Sequence, residues 1–171
     1  MEIKAELKQP YTENERLDFI VEQNHKNGYE IRETETALEA WGYSEEEVLK
    51  NLKIAKQTEN TEKAKQAVEN GYVTFKGAQF ETNAQTVGDL TASMLLVQQA
   101  GLESYSWLTK DDKVVELTLE DFGELGGLIA QYKAGVWNEK YLNFKEQIEN
   151  AKTIEEINNI ELNYDVPSEN V

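Results

Sequence analysis

Carboxylates are the reactive side chains this chain carries in quantity: 33 Asp and Glu stand against 17 Lys and Arg, one histidine (His25) and no cysteine. Paired carboxylates can hold a hard cation or pass a proton. Asp111-Asp112 is such a pair, but a calcium loop needs five or six spaced oxygens and a glycine at its sharp turn, which this stretch lacks. Turn chemistry accounts for both residues. Glu120-Asp121 and Glu155-Glu156 fall in first helical turns, where negative charge complements the helix dipole. His25, between Asn24 and Lys26, sits at an expected helix end, where a cation is favourable. It has no second histidine and no distinctive carboxylate spacing to make it a metal ligand. Gly123 to Gly127 is followed by Leu128 rather than Lys-Ser/Thr, so it is no phosphate cradle. No nucleophile elbow, Ser/Lys pair or redox pair is present. The expectation is a binding protein, not an enzyme, with no cofactor and no metal.

Binding directs attention to aromatic and small residues. Trp41, Trp107 and Trp137 each lie beside a structural junction, and tryptophan is enriched at interface hot spots. Core packing is the competing role for each. Trp137, followed four residues later by Tyr141, is the first choice for a surface anchor. Gly123, Gly127, Ala130 and Ala134 line one face of a helix. Each internal glycine costs about 1 kcal/mol relative to alanine. That is tolerable where another backbone packs close, whether a helix of the same chain or a second molecule. The candidate interaction residues are therefore Trp137, Tyr141, Trp107, Trp41, Gly123 and Gly127.

These residues need a scaffold. Residues 1–7 alternate apolar and charged side chains, as a strand does, and Pro10 ends it. Thr12 and Glu15 form a capping box ahead of a helix that Gly28 stops. Residues 29–35 look extended, and 37–42 read as a short helical turn or loop closed by Gly42. Ser44 and Glu47 form a second capping box, opening a charged helix over 45–70. Its second half lacks bulky apolar residues, so it is expected to bridge two modules in solvent or to break near Asn60. Beyond Gly71 come a hairpin turning at Lys76-Gly77, a helix capped by Thr82 or Asn83 and stopped by Gly101, and a hairpin across residues 110–113. The longest helix then runs from Thr118 to about Ala151. Its apolar stripe has two runs: Phe122, Leu125, Ile129, Tyr132 and Val136, then Trp137, Tyr141, Phe144, Ile148 and Ala151. An offset of one position between them predicts a kink or different neighbours at the two ends. A short helix follows Thr153, and 164–171 reads as a loose tail.

The fold class is thus α+β, mainly helical. A strand–helix–strand unit (1–43) leads through a charged connecting helix (44–70) to a module of two small β-hairpins and two main α-helices (71–163), then a flexible tail (164–171). The net charge of −16 disfavours nucleic acid and anionic membranes as partners. No apolar run approaches the ~20 residues that span a bilayer. The charged opening, Met1-Glu2-Ile3-Lys4-Ala5-Glu6, lacks a signal-peptide core, so secretion by the usual route is not expected. Acidity also raises an alternative: a DNA mimic that blocks a host nucleic-acid-binding protein. That needs carboxylates spaced like phosphates, and Lys50, Lys53, Lys56, Lys63 and Lys65 interrupt the acidic run over 45–69.

Three stretches carry a resemblance. They are Val73-Thr74-Phe75 with Phe80, Trp107-Leu108 followed by Val114-Val115-Glu116-Leu117-Thr118, and Phe144-Lys145 with Ile148 and Ala151-Lys152-Thr153-Ile154-Glu155-Glu156-Ile157. Through them, Gly71 to Leu162 resembles a small module of unknown function widespread in bacteriophage and prophage genomes. Residues 29–34 and 38–43 are similar to small proteins encoded beside phage tail-fibre genes. The resemblance implies a tail-associated accessory protein, an assembly factor or minor component that binds a tail-fibre or baseplate protein. Such a protein would work in the host bacterial cytoplasm during assembly or stay in the virion tail, with homo-oligomerisation as an option. It implies no catalytic residues.

Overall fold

The structure is a computed structural model that describes residues 1–165. The chain is α+β and mainly helical, and its contacts divide it into two units. One comprises 1–54 with 152–154; the other comprises 55–151 with 155–165.

The first unit is built on a three-stranded antiparallel sheet of order β1-β3-β2, with β1 over Glu2–Lys8, β2 over Glu30–Glu33 and β3 over Ala37–Gly42. Between β1 and β2 lies α1 (Glu13–Ile20). Thr12 accepts the Glu15 N–H and Glu15 accepts the Thr12 N–H, the expected capping box. The helix ends in a π-helical turn (Val21–Lys26), and Gly28 takes a left-handed φ of 72° to leave it. Residues 37–42 are not a helical turn. They form the central strand, because Leu38, Ala40 and Gly42 alternate with Glu39 and Trp41 and both flanks find a partner. Gly42 has no room for a side chain: an added Cβ would lie 2.8 Å from the Tyr29 ring.

Helix α2 (Glu45–Asn70) starts in the first unit and ends in the second. Ser44 and Glu47 cap it reciprocally. It neither breaks near Asn60 nor turns its second half to solvent. Asn60 and Ala64 are fully buried. Small and polar side chains bury this face because the contacts are hydrogen bonds. Asn60 donates to the Tyr141 carbonyl (3.3 Å), Tyr164 donates to Asn60 Oδ1 (2.5 Å), and Tyr132 donates to the Ala67 carbonyl (3.0 Å). Tyr164, expected to begin a loose tail, is anchored here and packs on Phe144. The rest of that tail, 166–171, lies outside the described residues.

The remaining elements of the second unit are two hairpins and two main helices. Hairpin β4–β5 (Tyr72–Phe75, Ala78–Glu81) turns at Lys76 and Gly77, both at positive φ. Hairpin β6–β7 joins Tyr105–Leu108 to Val114–Leu117. Asp111 ties the two together: Oδ1 accepts the Gln79 N–H (2.9 Å) and Oδ2 pairs with Lys113 (2.8 Å). Helix α3 (Ala84–Ala100) is capped by Asn83 and closed by left-handed Gly101. Helix α4 (Leu119–Ala134) is capped by Thr118 and Asp121. Phe75, Phe80, Leu90, Leu117 and Leu125 belong to one core, to which both hairpins, α3 and α4 contribute.

The long helix changes pitch where its stripe shifts. Gly135–Tyr141 is π-helical, and α5 (Leu142–Asn150) continues beyond it. A π turn holds about one residue more than an α turn. It absorbs the one-position offset, and the two runs also meet different neighbours: Phe122, Leu125 and Ile129 lie in the core with the hairpins and α3, whereas Tyr141 reaches α2 and Phe144 packs on Tyr164. A short α6 (Ile154–Asn158) follows, and Ile157, Ile160 and Leu162 are buried.

Candidate interaction surface

Helices α3 and α4 bury one face each, and their opposite faces are left to solvent. On α3 the open positions Gly88, Thr91 and Leu95 follow helical spacing; on α4 Leu119, Gly123, Gly126 and Ala130 do the same. All are exposed, and none is charged. Between the helices runs a groove of about 250 Å³, lined by Val87, Leu90, Met94, Phe122, Gly123 and Gly126. In 17 residues α3 carries a single charge, Asp89, although 29% of the whole chain is charged.

The glycines on this face are not needed by the fold. A Cβ added to Gly88, Gly123, Gly126 or Gly127 meets nothing within 4 Å, and none of the four has positive φ. Neither a close intramolecular helix nor a strained backbone explains them among the described residues. Gly71 shows the contrast: a Cβ there would lie 2.5 Å from both the Tyr132 hydroxyl and the Ala67 carbonyl oxygen. Gly123 lines the groove, while Gly127 faces open solvent beside it.

The aromatic candidates separate. Trp137 and Tyr141 come together in the π-helical turn, with ring centroids 5.2 Å apart in a T-shaped arrangement. Trp137 is half-buried and forms one wall of a wide cleft of about 440 Å³, which Lys65, Glu69, Ala84 and Lys133 also line. Tyr141 has a holding role: its hydroxyl accepts the Gln57 amide and its carbonyl accepts Asn60. Trp107 packs against the hydrophobic core of the second unit. Trp41, in the first unit, lies under the Arg32 guanidinium (4.8 Å) and donates its indole N–H to Glu39.

Asp111 and Asp121 make structural contacts. His25 is exposed. Lys113, the Gln79 N–H and the Thr109 hydroxyl hold the Asp111 carboxyl well below the usual carboxylate range. Burial alone would raise the Asp121 carboxyl, but Lys76 at 2.6 Å and the Thr118 cap outweigh it and lower it. Along α2 the carboxylates are interleaved with cations: Glu59 pairs with Lys56 and Lys63, and Glu62 with Lys65. No group of three or more metal-ligating side chains gathers among the described residues, and no described helix is long and apolar enough to cross a membrane.

Sequence reasoning missed Gly88, Gly126, Leu95 and Leu119. The readable signal was the near absence of charge on α3 in a strongly charged chain. It also missed a cleft of about 410 Å³ where Tyr72, Tyr132 and Tyr164 meet Lys63, because only the fold of the second unit brings these residues together.

No curated protein and no solved structure matches the chain at significant similarity. One family model does, over residues 51–163, a span that takes in most of α2 and every later element of the structure. Since that span is well over half of the sequence, the chain belongs to the family described as Domain of unknown function (DUF4376).

Proposed function

We propose that this chain is a non-enzymatic accessory protein of bacteriophage tails, binding a tail-fibre or baseplate protein as an assembly factor or minor structural component. Its place of action is the host bacterial cytoplasm during assembly, or the virion tail for a retained component. The resemblance of 71–162 and 29–43 to small phage proteins supports the setting. The observation that carries the binding role is Trp137: a half-buried indole on the wall of an open cleft, propped edge-on by Tyr141. A large ring held in one orientation loses little entropy on binding and buries much apolar area, the character of a hot spot.

The acidic-mimic reading is less favoured, because Glu59 and Glu62 in the middle of α2 are paired with lysines, which interrupt the acidic row. A pull-down separates the two. Tagged protein is mixed with lysate of the induced lysogenic host and washed at low and high salt, and retained proteins are identified by mass spectrometry. A fibre or baseplate protein that survives high salt is the expected result. A host DNA-binding protein released by high salt contradicts the proposal and supports the mimic.

A further inference from the structure

We propose that the cleft where Tyr72, Tyr132 and Tyr164 meet the end of α2 is a binding site for a neutral saccharide. Its volume of about 410 Å³ falls in the range of small-molecule sites. Lys63, Gln66, Ala67 and Asn70 recur at helical spacing and supply one wall from α2. Tyr72 on β4, Tyr132 on α4, and Tyr164 with Asp165 complete it.

The polar groups left open select the ligand. The main-chain carbonyls of this wall are already hydrogen-bonded. Those of Ala67 and Val68 accept the Tyr132 and Thr82 hydroxyls (3.0 and 2.7 Å), and those of Asn70 and Gly71 accept Lys110 Nζ and the Thr82 N–H (3.0 and 3.1 Å). A peptide held through its backbone finds no row of main-chain partners here. Side chains remain. Among the described residues, the Gln66 and Asn70 amides and the Tyr72 hydroxyl have no hydrogen-bond partner. Each of the three can both donate and accept, as a sugar hydroxyl does.

Charge excludes the ions. Asp165 in the lining and the net charge of −16 repel an anion. The place for a cation is taken: Lys110 lies 5.5 Å from the centroid of the Tyr72 ring. Lys63, held by Glu59 (3.1 Å) and the Leu162 carbonyl (3.4 Å), adds a second ammonium. A wholly apolar ligand would strip water from the amides and the hydroxyl and give nothing back. A neutral sugar meets every condition. Its C–H face lies on tyrosine rings, and its hydroxyls pair with Gln66, Asn70 and Tyr72. Hydrogen bonds exchanged with water in an open cleft give a Kd on the order of 0.1–1 mM.

The test is saturation-transfer NMR of the full chain against glucose, galactose, mannose, rhamnose, N-acetylglucosamine and N-acetylgalactosamine. Glucuronate, glucosamine and tetraproline serve as the anionic, cationic and peptide comparisons. The expected result is saturable binding of at least one neutral sugar and none of the three comparisons. Tyr72→Phe removes only the hydroxyl and weakens that binding about threefold to tenfold, as does Asn70→Ala, with circular dichroism confirming that both variants are folded. Leu108→Glu, on strand β6 and 66% exposed, leaves it unchanged. No neutral sugar bound at about 10 mM overturns the proposal. So does sugar binding indifferent to both Tyr72→Phe and Asn70→Ala, or a preference for glucuronate, glucosamine or tetraproline. Tyr72 does not line the Trp137 cleft, so loss of sugar binding in Tyr72→Phe and loss of tail-protein capture are separate outcomes.

Discussion

Two glycines of similar appearance in the sequence have opposite roles. Gly71 is enclosed: an added methyl would contact the Ala67 carbonyl oxygen, the Tyr132 hydroxyl and the Thr82 hydroxyl, all within 2.7 Å. A backbone atom cannot move aside cheaply, so Gly71→Ala should destabilise the protein by about 1–3 kcal/mol. A Cβ added to Gly123 meets nothing within 4 Å, and Gly123→Ala should stabilise the dilute protein by about 0.5–1 kcal/mol. Urea denaturation of the two variants measures both values, and a shared sign would contradict this account of the glycines. The sequence marks Gly71 only as a helix stop, since its enclosure depends on Tyr132 and Thr82, which are distant in sequence. The cost of Gly123 is legible directly, because a glycine inside a helical pattern costs the same whatever surrounds it. Trp137 and Tyr141 are adjacent on the helical repeat, and their pairing follows from that spacing.

Elements were legible where local chemistry decides them. The Thr12, Ser44 and Thr118 capping residues, the Lys76-Gly77 turn and the Gly101 stop all carry their mechanism in a few residues. Strand β3 was not legible, because Ala37-Leu38-Glu39-Ala40 suits a helix locally and becomes a strand only by pairing on both sides. The second half of α2 was misread for a different reason: hydrogen bonds at Asn60, Ala67 and Val68 hold it, and an apolar pattern does not register them. The long helix shows how much a pattern can reveal. Its one-residue offset is the extra residue of the π turn over Gly135–Tyr141. Deleting exposed Asn138 should convert that turn to regular α-helix and leave both apolar runs in phase, so the protein should fold, with helical circular dichroism retained. Inserting one alanine at the same place rotates α5 by about 100° and turns buried Ile148 outward, which should cost about 2 kcal/mol or more. Equal stability of the two variants would contradict this account of the π turn.

Across the whole molecule, charge sets the response to pH. Asp111, Asp121, Glu59 and Glu116 all have carboxyls lowered by hydrogen bonds and neighbouring lysines or hydroxyls. The unfolded chain protonates such groups near pH 4, before the folded protein does. Their stabilisation is therefore complete above that range and is lost as the pH falls through the folded values. Burial pushes the Tyr164 hydroxyl up to about 12, so its contribution holds below about pH 10 and is lost as the pH rises towards 12. The urea midpoint should stay level through neutral pH and fall at both extremes; a midpoint that rises on acidification would contradict these pairings. The family match covers the module carrying Trp137, and the account places binding there. Its central claim is that the chain acts by gripping a tail protein through an aromatic anchor. The most direct measurement compares wild type with Trp137→Ala in the high-salt pull-down, with circular dichroism confirming that the variant is folded. The account predicts that the wild type retains a fibre or baseplate protein and that the variant retains at least tenfold less. Equal retention by the two, or no tail protein retained by the wild type, would contradict it.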